Sequence, residues 1–244
     1  MGLTRAEAVE RLVVALDTPD RTRALELART LAGRVGMLKV GLEAFTALGP
    51  SLVEELAAAG MPVFLDLKLH DIPNTVEGAA AACARLGAAI FNVHAAGGQE
   101  MMRAALAGAE RGTAPGAPRP RVLAVTVLTS LDEPALGRLG VVGTAGEVVV
   151  RWACLAREAA CDGVVCSPRE VATLRATLGE AFVLLTPGIR PAGQSSGDQR
   201  RVATPAAAVA GGANYLVIGR PITGSPDPAA AAEAILGEMC DAPA

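Results

Sequence analysis

Apolar and polar positions alternate along Pro62–Leu69. Val63, Leu65, Leu67 and Leu69 fall on one side, and Phe64, Asp66, Lys68 and then His70 on the other. This is the period of a strand. Pro73 follows where a helix would begin, since proline in a first turn forfeits no helical hydrogen bond. The alternation of short β-rich runs with helical stretches continues along the chain. Strands are expected at Leu12–Leu16, Met37–Leu42, Pro62–Lys68, Ala89–Val93, Arg121–Leu128, Gly163–Cys166, Phe182–Leu185 and Tyr215–Ile218. Ala-, Leu- and Arg-rich segments of helical period lie between and after them, at Arg21–Ala32, Ser51–Ala59, Thr75–Leu86, Gly98–Arg111, Thr144–Ala160, Arg169–Leu178, Pro205–Ala210 and Pro228–Met239. Eight βα units in 244 residues predict an α/β fold, a (β/α)8 TIM barrel forming one domain over residues 1–244, better than an open sheet.

Three segments interrupt the pattern. Arg111–Pro120 is a Pro/Gly/Ala loop expected on the face opposite the chemistry, and Asp132–Gly143 has room for a short extra helix. Pro191–Asp198 is polar and glycine-rich, follows the seventh strand, and is a candidate lid.

Composition narrows the function. The chain is 51% hydrophobic with a formal net charge of -3 and scattered arginines, so no basic stripe points to nucleic acid or an anionic membrane. No apolar run has the length of a bilayer span, and no signal peptide is read at the N-terminus. Cys83, Cys154, Cys161, Cys166 and Cys240 form no CxxC pair, and with two histidines a zinc site is not expected. Five scattered cysteines read as reduced thiols of a cytoplasmic protein.

Of 22 basic residues only Lys39 and Lys68 are lysines. Both sit at the ends of strand-like runs, where a barrel of this kind places its chemistry. Lysine can exchange a proton in a tuned environment and arginine cannot, so proton transfer or amine chemistry is the sharper reading. An ordinary solvated Asp66–Lys68 ion pair is the plainer one. The other strand ends carry Asp17, Asn92 and His94, Thr126, Thr129 and Ser130, Ser167, Gly188 and Arg190, and Gly219 and Arg220. His94 reads equally as a packed strand-end residue or a catalytic one. On the last two strands, glycines that admit an anion close to the backbone, with Arg190 and Arg220 attached, suggest a phosphate site; each glycine alone reads as a turn.

The stretch VFLDLKLHDIPNTV resembles the D-x-K-x-x-D-I-[GP]-x-T pattern of the orotidine 5′-monophosphate decarboxylase family. The similarity extends through VALD at 14–17, LKVG at 38–41, VHAAGG at 93–98, VTVLTS at 125–130, TPGIRP at 186–191, GDQRR at 197–201 and IGRPIT at 218–223, without departure at a motif position. The D-x-K-x-x-D core is shared with phosphosugar decarboxylases of the same barrel superfamily; the Ile72-Pro73-x-Thr75 extension and the last two blocks make the match specific. The resemblance implies decarboxylation of orotidine 5′-monophosphate to UMP, the last step of de novo pyrimidine synthesis, with no cofactor and no metal. It implies that Lys68 protonates C6 beside Asp66, with Lys39 tying the charges into one network. Asp71 and Thr75 would complete the partner's site in a homodimer. Asp17 and Lys39 would contact the ribose, and Thr129 and Ser130 the pyrimidine. Arg190, Gln199, Gly219 and Arg220 would hold the 5′-phosphate, with Gln194 the reserve for the glutamine role.

Three rival readings stand beside this one. A magnesium-dependent 3-keto-sugar-phosphate decarboxylase would lose activity to a chelator. A Schiff-base aldolase using Lys68 or Lys39 would be trapped by borohydride. A non-catalytic phosphoribosyl-ligand binder would leave orotidylate unchanged.

Overall fold

A computed structural model of the chain describes residues 2–191 and 202–242. Eight parallel strands close on themselves in chain order. They are β1 (Leu12–Ala15), β2 (Met37–Gly41), β3 (Val63–Leu69), β4 (Ile90–His94), β5 (Arg121–Val125), β6 (Gly163–Val165), β7 (Val183–Thr186) and β8 (Tyr215–Ile218). The closing seam pairs Val13 of β1 with Val217 of β8.

Because side chains alternate across each strand, the apolar runs feed two cores. One fills the barrel: Val13, Ala15, Met37, Phe64, Ile90, Leu123, Val125, Val165, Leu185 and Val217. The other lies between the outer face of the sheet and the surrounding helices, and takes Val63 and Leu65 of β3 together with Val14, Leu38, Phe91 and Ala124. The alternation read along 62–69 is therefore inside against outside the barrel.

The helices in chain order are α1 (Arg5–Arg11), α2 (Arg21–Leu31), α3 (Leu42–Leu48), α4 (Ser51–Ala58), α5 (Pro73–Arg85), α6 (Gly98–Gly112), α7 (Glu133–Arg138), α8 (Ala145–Glu158), α9 (Val171–Leu178), α10 (Pro205–Ala210), α11 (Arg220–Thr223) and α12 (Pro228–Cys240). Their starts are marked in the sequence. Thr4 with Glu7 and Thr144 with Glu147 form capping boxes on α1 and α8. Asp20, Asp132, Thr204 and Asp227 cap α2, α7, α10 and α12. The extra helix expected after the fifth strand is α7. Helices α1, α3 and α11 were not expected, and the second strand, expected to reach Leu42, stops at Gly41, which caps α3. The fifth strand, expected to reach Leu128, leaves the ladder at Val125. No described helix is long and apolar enough to cross a membrane.

The entrances to the strands are pinned from the far end of the barrel. Arg175 of α9 donates to the carbonyls of Gly179, Phe182 and Gly212 and to Asn214 Oδ1, tying the entries of β7 and β8 together. Arg119 grips Asp162 with two nitrogens, at 2.7 and 2.9 Å, at the entries of β5 and β6. Of the loop expected at Arg111–Pro120, Arg111 and Gly112 close α6, and residues 113–120 lead at this end into β5.

Candidate active site

A cavity of about 440 Å³ opens at the C-terminal ends of the strands. Its apolar floor is the top of the barrel core, formed by Ala15, Phe64, Val125, Val165, Leu185 and Val217. Its polar wall carries Asp17, Lys39, Glu43, Asp66, Lys68, Thr129, Arg190 and Arg220, with the backbones of Gly188 and Gly219. A pocket with an apolar base and a few converging charges suits a small molecule that is partly apolar and partly anionic.

The charges on one side alternate in sign. Asp17 Oδ1 lies 2.9 Å from Lys39 Nζ, Lys39 Nζ lies 3.4 Å from Asp66 Oδ2, and Asp66 Oδ1 lies 2.6 Å from Lys68 Nζ. The Lys39 and Asp66 side chains are only 10% and 13% exposed. At such burial an unpaired charge would be expensive to hold, so each charge depends on the next. The plainer sequence reading, a solvated pair, does not describe this arrangement.

Strand β3 is not a regular ribbon at the site. Lys68 has φ 53, a left-handed conformation uncommon outside glycine. The pairing of β3 with β4 passes from Leu65–Phe91 to Leu69–Val93, so three residues of β3 stand against Asn92 alone. The facing of the side chains persists, with Phe64, Asp66 and Lys68 at the cavity, but the β3–β4 ladder is interrupted: the Lys68 N–H leaves it and donates to Asn92 Oδ1 at 2.7 Å. Asn92 also donates from Nδ2 to Asp66 Oδ1 at 2.8 Å.

The two histidines lie together beside this set, with ring centroids 5.3 Å apart. Burial, with His70 and Lys68 adding to it, pushes the His94 pKa below the ordinary histidine value, against a weaker opposing pull from Asp66.

Most of the expected residues converge. Asp17, Lys39, Asp66, Lys68, Thr129, Arg190, Gly219 and Arg220 all line the one cavity. Asp71, Thr75 and Ser130 do not; all three are exposed. Asp71 accepts from the N–H of the adjacent Ile72 at 2.6 Å. Gln199, Gln194 and the candidate lid beyond Pro191 lie outside the described residues. Two features escaped the sequence reading. Glu43, on the first turn of α3, joins the polar wall; it could have been found only by seeing that a helix starts at Leu42. Phe64, read in the sequence as a position on the same strand side as Asp66 and Lys68, is part of the cavity floor. Among the described residues no group of three or more His, Cys, Asp or Glu is placed to hold a metal ion.

Parallel eight-stranded closure, with a carboxylate–ammonium array facing arginines across the mouth, defines the class: a barrel enzyme site for a small anionic ligand. Comparison with known proteins is specific beyond that. Residues 10–235 match the model of the orotidine 5′-phosphate decarboxylase / HUMPS family. The orotidine 5′-phosphate decarboxylase of Moorella thermoacetica is 54% identical over 239 residues, 97% of this chain and 95% of that one. That of Anaeromyxobacter dehalogenans is 58% identical over 226 residues, covering 93% and 96%. The crystal structure of the Lactobacillus acidophilus orotidine 5′-phosphate decarboxylase superposes with a TM-score of 0.84 at 39% identity, covering 93% of this chain and 98% of that one. The chain belongs to the orotidine 5′-phosphate decarboxylase / HUMPS family.

Proposed function

We propose that this protein decarboxylates orotidine 5′-monophosphate to UMP, with Lys68 as the proton donor. The observation that carries the reading is the alternating row Asp17–Lys39–Asp66–Lys68, ending with the Lys68 ammonium at the cavity wall. The relatives that cover nearly the whole chain, each named for this activity, support the substrate.

The chemistry asks for such a site. Breaking the bond between C6 and the carboxylate releases carbon dioxide and leaves the electron pair in the plane of the pyrimidine ring, where no π system accepts it. Fixed charges must then supply the stabilisation, within the roughly 8–23 kcal/mol by which enzymes lower barriers. The Lys68 ammonium faces C6, stabilises the developing charge, and transfers its proton to the carbanion to give the C6–H bond of UMP. Asp66 stands beside the departing carboxylate, and Lys39 holds Asp66 and Asp17 in place. Asp17 and Lys39 take the ribose, and Thr129, which lines the cavity, the pyrimidine. Across the mouth, Arg190, Gly219 and Arg220 hold the 5′-phosphate together with Gln199. Binding energy gathered at the phosphate, remote from C6, goes into alignment of the reacting centre.

The working unit in this reading is a cytoplasmic homodimer. Asp71 and Thr75 are exposed and outside their own cavity, next to Ile72 at 67% exposure, which suits residues that complete a partner's site. The free state of all five cysteines suits a reducing compartment. The test is the loss of orotidylate absorbance on adding protein, in buffer with and without EDTA. Equal turnover in both is the expected result. Loss with chelator would favour a metal-dependent sugar-phosphate decarboxylase, and no turnover would favour a binding protein.

A further inference from the structure

Asn92 occupies the middle of β4 with its side chain inside the barrel and no solvent exposure. Its amide has two polar ends and both are used. Oδ1 accepts from the Lys68 N–H at 2.7 Å, and Nδ2 donates to Asp66 Oδ1 at 2.8 Å. The orientation of the amide follows from its partners: a backbone N–H can only donate, and a carboxylate receiving an ammonium at 2.6 Å on the same oxygen acts as acceptor. The Lys68 N–H has left the β3–β4 ladder because the residue is left-handed, φ 53. A buried N–H outside a ladder needs an acceptor, and Asn92 provides it.

We propose that Asn92 is a positioning residue of this site: a two-ended bridge that fixes the irregular backbone carrying Lys68 and orients the Asp66 carboxylate beside it. The inference rests on the catalytic roles of Lys68 and Asp66 proposed above. Asparagine supplies both ends whatever the pH. Leucine has no acceptor for the N–H. Ionised aspartate keeps the acceptor, loses the donor, and sets a second negative charge against Asp66. Protonated aspartic acid restores both, its carbonyl accepting from Lys68 and its O–H donating to Asp66.

This last property gives the test. Turnover of orotidylate is measured from pH 5 to 8.5 for the unaltered chain, Asn92→Asp and Asn92→Ser, with UMP binding and thermal melting as checks on folding. Asn92→Asp is expected to lose about 100-fold in kcat at pH 8 with KM within about threefold. Its deficit relative to the unaltered chain should shrink at least about tenfold by pH 5, because two crowded carboxylates bind a shared proton. Asn92→Ser, too short to bridge, should lose kcat similarly with no recovery in acid. A kcat at pH 8 within threefold of the unaltered chain in either folded variant overturns the proposal. So does a loss confined to KM, or an Asn92→Asp deficit constant with pH. If Asn92→Asp does not fold, Asn92→Ser decides alone; if neither melts cooperatively, Asn92 serves the fold rather than the site and the proposal fails. Absence of turnover in the unaltered chain would instead refute the reading on which the proposal rests.

Discussion

Lys39 carries its charge on a side chain that is 10% exposed, and it can do so because Asp17 and Asp66 stand at 2.9 and 3.4 Å. The room for that ammonium comes from Gly41. A methyl group there would lie 2.6 Å from Lys39 Nζ and 3.0 Å from Asp17 Oδ1. Both are ends of side chains, so Gly41→Ala should displace the charge rather than break the barrel. The expected outcome is a melting temperature within a few degrees of the unaltered protein, with kcat/KM for orotidylate lowered by about 10- to 100-fold. Unchanged kinetics would mean that the position of Lys39 does not matter. At this scale the sequence was most informative about residues whose type betrays their chemistry. Two lysines in an arginine-rich chain, both at strand ends, pointed to the same cavity that the fold builds. Asn92 was visible at a strand end without a role. Its use depends on a left-handed Lys68, and no residue type in the strand announces that conformation.

Among the elements, α5 and α6 show how closely the helical layer is drawn together. A Cβ on Gly108 would lie 2.1 Å from the Glu77 carbonyl oxygen, and one on Gly112 2.2 Å from that of Ala81. These contacts are with backbone of α5, which cannot yield as a side chain tip can. Gly108→Ala should therefore destabilise by about 1–3 kcal/mol as an overpacking change, each kcal/mol corresponding to about 2–4 °C of melting temperature in a chain of this size. An unchanged or raised melting temperature would contradict the packing. The matter has a functional side, because α5 begins at Pro73, two residues after Asp71. The periodicity placed all eight strands and most of the helices, because alternation and capping are local. Where it failed, a boundary was set by the tertiary structure. Gly41 ends one element and caps the next with no loop between them, so Leu42 reads as a continuation of the strand although it starts a helix and is 56% exposed. The capping box at Thr4 and Glu7 was legible in principle, but α1 is only a 7-residue helix leading straight into β1.

For the molecule as a whole, the site divides between what one chain gathers and what it leaves outside. One chain brings Asp17, Lys39, Asp66 and Lys68 together, while Asp71 and Thr75 are exposed and not among the residues lining that cavity. If Asp71 serves the partner, then mixing inactive Asp71→Ala and Lys68→Ala chains should restore activity. A hybrid dimer holds one site with neither change, so exchanged subunits at equal ratio should recover up to about a quarter of the unaltered turnover, as half of the dimers are hybrids with one of two sites intact. No recovery from subunits shown to have exchanged would contradict action across the interface. Closure of the barrel was legible from the count of βα units. The role proposed for Asp71 and Thr75 in a partner's site came from the family resemblance alone, since nothing in a strand's periodicity says which molecule an exposed acid will serve.

The central claim, that the Lys68 ammonium delivers the proton to C6 in a field set by Asp66, meets its most direct test in one comparison. Orotidylate turnover and UMP binding are measured side by side for the unaltered chain and Lys68→Ala. UMP binding is expected to remain measurable and turnover to fall by at least about 10⁴-fold, given a role of Lys68 in both charge stabilisation and proton transfer. Turnover within tenfold of the unaltered chain in a folded, UMP-binding Lys68→Ala protein would contradict it.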